Sequence, residues 1–213
     1  MTNDSAATTR GKHFSMIRGF HLADVFTLGN AACGVAGVGM AMVFLVSHNA
    51  RDLLIAAAFA PAAFVFDVLD GRIARWRQTS SALGRELDSL ADVISFGVAP
   101  AALAFACGLN GGWDALVLVY FVCCGVSRLA RYNVTAETLS AGSDKVKYFE
   151  GTPIPSSVVL TAVLAWAAWQ GRIGDAVYGG AWSLLGATLH PLALLFALSG
   201  TLMVSKTLHI PKL

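Results

Sequence analysis

Charge is what this chain has least of. Of 213 residues only 13% are Asp, Glu, Lys or Arg against 56% hydrophobic, and the mean hydropathy is +0.64. So few charges cannot cover a soluble globule of this size, which places the chain in a bilayer. Cysteine is scarce too. Cys33, Cys107, Cys123 and Cys124 fall inside or at the ends of apolar runs with no CxxC spacing, so neither a zinc site nor a disulfide framework is supported, and they read as small packing residues. The net charge of +2 is spread over residues that flank apolar runs instead of gathering on a soluble face, which argues against nucleic-acid binding. The polar start lacks the apolar core of a secretory signal and is expected to stay in the mature protein. No repeat, linker or low-complexity stretch interrupts the sequence, so residues 1–213 read as one membrane domain.

What is present is a series of long apolar runs, at about 24–46, 53–69, 88–106, 113–130, 156–170 and 181–205. Several approach the ~20 residues that a spanning helix needs. The expected fold is all-α and integral to the membrane, with six transmembrane helices. Within residues 1–23 and just beyond, Phe14, Ile17, Phe20 and Asp24 recur at helical spacing among Lys12, Arg18 and His21, which predicts an interfacial amphipathic helix leading into the first span. Arg10, Lys12 and Arg18 precede span one, Arg72, Arg75, Arg77 and Arg85 lie between spans two and three, and Arg128, Arg131, Lys145 and Lys147 follow span four. Lys206 and Lys212 close the chain, while the opposite side holds only Arg51 and Arg172. The positive-inside rule then puts both termini and the loop after span two in the cytoplasm, as in a multi-pass protein of the inner membrane. Gly29, Gly34, Gly37 and Gly39 in span one permit close helix approach, either within the chain or at a dimer seam.

The stretch DVLDGRIARWRQTSSALGRELDSLAD, residues 67–92, sets four aspartates beside these runs. Asp67 and Asp70 are three apart at the end of span two, and Asp88 and Asp92 are four apart at the start of span three, so each pair shares a helix face. A hairpin turning through residues 76–84 would bring the pairs together. Carboxylates ~6 Å apart repel by roughly 2 to 3 kcal/mol per ionised pair at an effective dielectric near 20, so something positive is needed among them. Arg72, Arg75 and Arg85 offer one answer, a salt-bridged hairpin. All-oxygen ligands at this density offer another, hard divalent cations such as Mg²⁺ or Mn²⁺, two of which can share the carboxylates.

The pattern Asp67-x2-Asp70-Gly71-x2-Ala74-Arg75-x8-Gly84-x3-Asp88-x3-Asp92 resembles the complete signature of the CDP-alcohol phosphotransferase family. Within it, TLGNAACG (27–34), SLADVISFGVAPA (89–101), SRLARYN (127–133) and FEGTPIPSS (149–157) are similar to the bacterial integral-membrane branch whose acceptor is L-serine. The resemblance implies a dinuclear metal site on Asp67, Asp70 and Asp88, completed by Asp92, which is also the implied base. It implies that Gly71, Ala74, Arg75 and Gly84 accommodate the CDP moiety. Small residues admit close approach, and an arginine fork suits phosphate. The implied substrates are CDP-diacylglycerol, with its acyl chains left among membrane lipids, and L-serine, with phosphatidylserine and CMP as products. A homodimer is implied as well.

Arg128 and Arg131, three apart at the end of span four, are candidates to clamp the carboxylate of serine or a lipid phosphate, or are ordinary positive-inside anchors. Tyr132, Asn133, Thr152 and Ser156 are further candidates for the acceptor pocket, the last two beside Pro153 and Pro155, which stiffen the approach to span five. Thr27 and Asn30, polar positions early in span one, are possible nucleotide contacts or hydrogen-bond partners of a neighbouring helix. His190, with no Glu or second His near it in sequence, reads as structural. Two other readings stay open. One keeps the family and changes the acceptor to glycerol 3-phosphate, an inositol phosphate or choline. The other is a divalent-cation transporter, since intramembrane acids often mark ion paths; the acids gathered at one face and the missing second, inverted set argue against it.

Overall fold

In lipid every backbone polar group must be satisfied within the protein, so apolar runs of this length have little choice but to become helices. The computed structural model describes residues 22–77, 82–140, 148–205, 207 and 209–211. The interfacial helix expected before residue 22 lies outside them, as do Lys145, Lys147, Lys206 and Lys212. Helix α1 spans Leu22–Ser47 and α2 spans Ala50–Arg77, and the two form a tightly packed hairpin. His48 closes the turn with φ of 54°, and the Asn49 side chain accepts the N–H of Arg51, an N-cap that starts α2. Then come α3 (Ala82–Asp92), a π-helical segment over Val93–Val98 and α4 (Ala99–Ala106), which follow one another without a loop. In the π segment Ala99 N–H reaches back five residues to the Ile94 carbonyl. Helix α5 runs over Gly112–Ser140, a 3₁₀ turn over Ile154–Ser157 leads into α6 (Val158–Trp169), and α7 covers Ala193–Val204.

Among the described residues, four helical stretches are long and apolar enough to cross a membrane: 22–47, 50–73, 83–106 and 112–135. They coincide with the first four expected spans. The fifth run becomes a shorter apolar helix over Ile154–Trp169. The sixth is divided. Residues 182–184 and 187–189 pair as a small antiparallel hairpin, β2 and β3, turning at Leu185 and Gly186 with φ of 51° and 81°. Only twelve residues are left for α7. Two further three-residue strands, β1 (Tyr148–Glu150) and β4 (His209–Pro211), also pair. Away from these short strands the architecture is all-α, as expected.

The core runs between the helices through Leu53, Phe96, Phe121, Leu164, Phe196 and Met203, each nearly solvent-free. Phe121 of α5 meets Phe196 of α7 edge to face, 5.2 Å between ring centroids. Apolar attraction between helices is weak in a bilayer, so small residues and interhelical hydrogen bonds carry more of the packing. The glycines of α1 illustrate this. A Cβ on Gly34 would lie 2.5 Å from Ser95 Oγ and 2.8 Å from Ser95 Cα, and one on Gly37 would lie 3.3 Å from the Ala56 carbonyl, so both serve packing within the chain. Gly39 faces open space. Gly151, at φ of 72° with Met203 O where a Cβ would go, lets the loop before Pro153 close against the end of α7.

Gly34→Ala is therefore expected to destabilise the protein by about 1–3 kcal/mol, the usual cost of overpacking. Gly39→Ala, in open space on the same helix, should leave stability unchanged or raise it by up to about 1 kcal/mol through helix propensity. Thermal melts of both variants in one detergent check the contrast.

Candidate metal and substrate site

Asp67 and Asp70 stand in the last turns of α2, and Asp88 and Asp92 on α3, so the carboxylates meet where the two helices approach each other at one end of the bundle. Asp67, Asp70 and Asp88 each present an oxygen within 4.8 Å of the others. Asp92 is buried, as is Asp70, and lies close enough to Asp67 and Asp88 to be repelled by them. Charges at this spacing repel by about 3 kcal/mol per pair even at an effective dielectric near 20. Neutral side chains from α1 donate to the group. Thr27 Oγ1 donates to Asp70 Oδ2 at 2.8 Å, and Asn30 Nδ2 donates to Asp92 Oδ1 at 3.1 Å. Both donors are buried. Asp88 Oδ1 is buried without a hydrogen-bond partner. An all-oxygen donor set in which one residue carries an unpaired, buried carboxylate oxygen fits a hard divalent cation.

Around the acids, Gly71 follows Asp70 directly, and the space a side chain would take there is open. Arg75 is exposed one turn further along α2, which also carries Ala74. Gly84 lies half-buried on α3. On α5, Arg128 is half-buried within electrostatic reach of Asp92, and its Nε is buried with no partner. Arg131 is half-buried and Tyr132 is 45% exposed. Asn133 is engaged with α3: its Nδ2 donates to Ser89 Oγ at 2.9 Å and reaches Glu86 Oε1 at 3.3 Å. Thr152 Oγ1 is buried and unpartnered, and Ser156 opens the 3₁₀ turn with its N–H on the Pro153 carbonyl.

A model of the CDP-alcohol phosphatidyltransferase family matches residues 20–199. The chain belongs to that family. It is 42% identical over 210 residues to a Saccharomyces cerevisiae protein named CDP-diacylglycerol–serine O-phosphatidyltransferase, covering 96% of this chain and 75% of the yeast one. Proteins of the same name from Helicobacter pylori (41% identity, 59% of this chain and 51% of theirs) and Mycobacterium tuberculosis (35%, 68% and 49%) are similar as well. The chain thus spans three quarters of the yeast relative and about half of the other two. The CDP-alcohol phosphatidyltransferase family is generally divalent-cation dependent, in keeping with the three-aspartate cluster.

Two features of this member were not visible in its sequence. Thr27 and Asn30 face the acids themselves, and Ser95, inside an apolar run, donates to the Asn30 carbonyl at 2.8 Å. The only signal was the three-residue step from Thr27 to Asn30, which puts both on one face of α1. His190 proves structural for a reason far away in sequence: Asp114 accepts its backbone N–H at 2.8 Å and pairs with Nδ1 at 2.6 Å, both residues being buried. That pair fixes the turn into α7.

Asp88→Asn removes one charge from the cluster and keeps its shape. In the EDTA-treated protein it is expected to raise the melting temperature by a few degrees, and it should weaken Mn²⁺ binding at least tenfold by calorimetry. Unchanged Mn²⁺ affinity would show that these acids do not hold the ion.

Proposed function

We propose that the protein transfers the phosphatidyl group of CDP-diacylglycerol to the hydroxyl of L-serine, giving phosphatidylserine and CMP. The observation that carries this reading is the convergence of Asp67, Asp70 and Asp88 beside Asp92, on a chain so similar along 96% of its length to a protein named for that reaction. The step is a direct displacement. The serine oxygen forms a bond to the phosphorus that bears diacylglycerol, the bond from that phosphorus to the CMP oxygen breaks with its electron pair, and the hydroxyl proton passes to Asp92.

Asp67, Asp70 and Asp88 would hold two divalent cations, Mg²⁺ or Mn²⁺, with Asp92 completing the set. When bound, such ions supply positive charge to the diphosphate and to the departing CMP. The protein's own groups do the rest. Open space at Gly71, with the small residues Ala74 and Gly84 nearby, lets the nucleotide approach the backbone. Arg75, exposed at the rim, offers its guanidinium to a phosphate. Arg128 would bind the serine carboxylate, a role supported by its buried, unpaired Nε and by a side chain within electrostatic reach of Asp92. Arg131, Tyr132, Thr152 and Ser156 form the remainder of the acceptor side, while Asn133 acts through the joint it makes with Ser89 and Glu86.

The site lies at the membrane surface of one domain that crosses the inner membrane six times, with both termini cytoplasmic, and works as a homodimer. In support, Arg72 and Arg75 lie in the last turns of α2, Arg85 in the first turn of α3 and Arg128 and Arg131 in the last turns of α5, ends that share one side of an alternating bundle, whereas Arg51 and Arg172 sit on the other. The acyl chains then stay in lipid while the headgroup reaches the acids.

Purified protein supplied with CDP-diacylglycerol and, separately, labelled serine, glycerol 3-phosphate, an inositol phosphate or choline should release CMP and form lipid product with serine. Product from one of the other alcohols and none from serine would overturn the acceptor. Asp92→Asn is expected to abolish turnover with Mn²⁺ binding weakened but measurable. Arg75→Ala should raise KM for CDP-diacylglycerol about tenfold or more, the loss of one charge-assisted contact, and alter KM for serine far less.

A further inference from the structure

Asn30 is held at two of its polar groups. Its side-chain Nδ2 donates to Asp92 Oδ1 at 3.1 Å, and its backbone carbonyl accepts from Ser95 Oγ at 2.8 Å, with all three residues buried. The two partners stand on either side of a change in helix type: Asp92 is the last residue of α3, and Ser95 lies in the π-helical segment Val93–Val98. A π turn carries an extra residue and breaks the regular helical register, so the heading of the side chain just before it depends on what packs against it. What packs there is α1, and it comes so near only because residue 34 has no Cβ to strike Ser95.

The chemistry of Asn30 fits the task. A second acid at residue 30 would add repulsion to a group that already has too much, and a lysine would neutralise the carboxylate that has to accept a proton. An aliphatic residue would leave Asp92 free to rotate. A neutral amide donor commits one oxygen of Asp92 and leaves the other available. Asn30 keeps this place although its own Oδ1 is buried without a partner, a cost that a residue chosen for packing alone would not carry.

We infer that Asn30 is a positioning residue for Asp92, a clamp from α1 that spans the α-to-π junction and sets which carboxylate oxygen faces the substrate site. The inference rests on Asp92 acting as the base and completing the ion site in the proposed reaction. Groups that orient a ligating or reacting side chain in this way typically matter 10- to 100-fold in metal affinity or activity.

The test uses the full chain in detergent, with Mn²⁺ affinity measured by calorimetry in the absence of substrate, followed by kcat and KM for both substrates. Asn30→Ala is expected to weaken Mn²⁺ binding at least tenfold and to lower kcat at least tenfold, with KM for serine changed less than threefold. Leu53→Ala, a fully buried position elsewhere in the core, should lower the melting temperature at least as much and leave Mn²⁺ affinity within threefold. Ser95→Ala, a milder change, should lower kcat by about threefold or more, and the double variant should be no worse than Asn30→Ala alone, because the two contacts form one clamp. Mn²⁺ affinity and kcat both within threefold of the unmodified protein in Asn30→Ala would overturn the inference, as would an equal Mn²⁺ loss in Leu53→Ala. If Asn30→Ala does not fold, Ser95→Ala decides, and unchanged kcat and Mn²⁺ affinity in it would refute the clamp. A chain whose Mn²⁺ binding depends on Asn30 but that transfers nothing to serine would keep the clamp and remove the proposed reaction.

Discussion

Four carboxylates brought together at the end of a membrane bundle repel one another, and much of the structure around them serves to hold them in place regardless. Repulsion of about 3 kcal/mol per ionised pair would splay two free helix ends. Here α2 is locked to α1 along its length, and α3 continues through the π segment and α4 into the buried core at Phe96 and Leu103. The acids therefore sit at the ends of stiff elements whose packing lies elsewhere. Their hydrogen-bond donors from α1 are a threonine and an asparagine. That choice has a consequence. A guanidinium between the carboxylates would quench their charge and close the gap, whereas a hydroxyl and an amide satisfy single lone pairs and leave the negative field intact for a cation.

The same logic connects packing to the site. With little hydrophobic force acting between helices in lipid, α1 and the π segment after α3 are held by close approach at Gly34 and by the hydrogen bond from Ser95 to Asn30. The contact that fastens the helices is made by the residue that orients Asp92. Stability and site geometry are therefore coupled at α1: a change that loosens the Gly34 contact moves the donors as well as the helix.

The sequence announces the parts of this arrangement that depend on neighbours along the chain. Spans one to four follow from unbroken apolar runs, and the aspartate pairs from spacings of three and four that put each on one helix face. Contacts between distant residues were not readable. Thr27 is 43 positions from Asp70, and Asn30 is 62 from Asp92, so their polarity was plain and their partners were not. Asn133, read as a contact for the acceptor, is taken up by Ser89, 44 positions away. The hairpin at the start of the last apolar run was not readable, because hydropathy does not register turn geometry. Leu185 and Gly186, both at positive φ, reverse the chain there, and Asp114 holds His190 from across the fold. Apolar composition alone does not show where within such a run the helix begins.

Beside the acids, buried polar atoms of both kinds stand without side-chain or backbone partners. Asp88 Oδ1 and Asn30 Oδ1 are acceptors, and Arg128 Nε is a donor. A cation pathway needs acceptors alone and would gain nothing from a half-buried arginine beside its acids, since that charge would repel the permeating ion. A surface salt-bridge network would have paired the arginine with an acid directly. Unpaired acceptors and an unpaired donor beside the acids complement a ligand set that brings charge of both signs, namely cations with a diphosphate and an amino acid carrying both ammonium and carboxylate. This mixture of donor and acceptor favours transfer to a zwitterionic acceptor over transport.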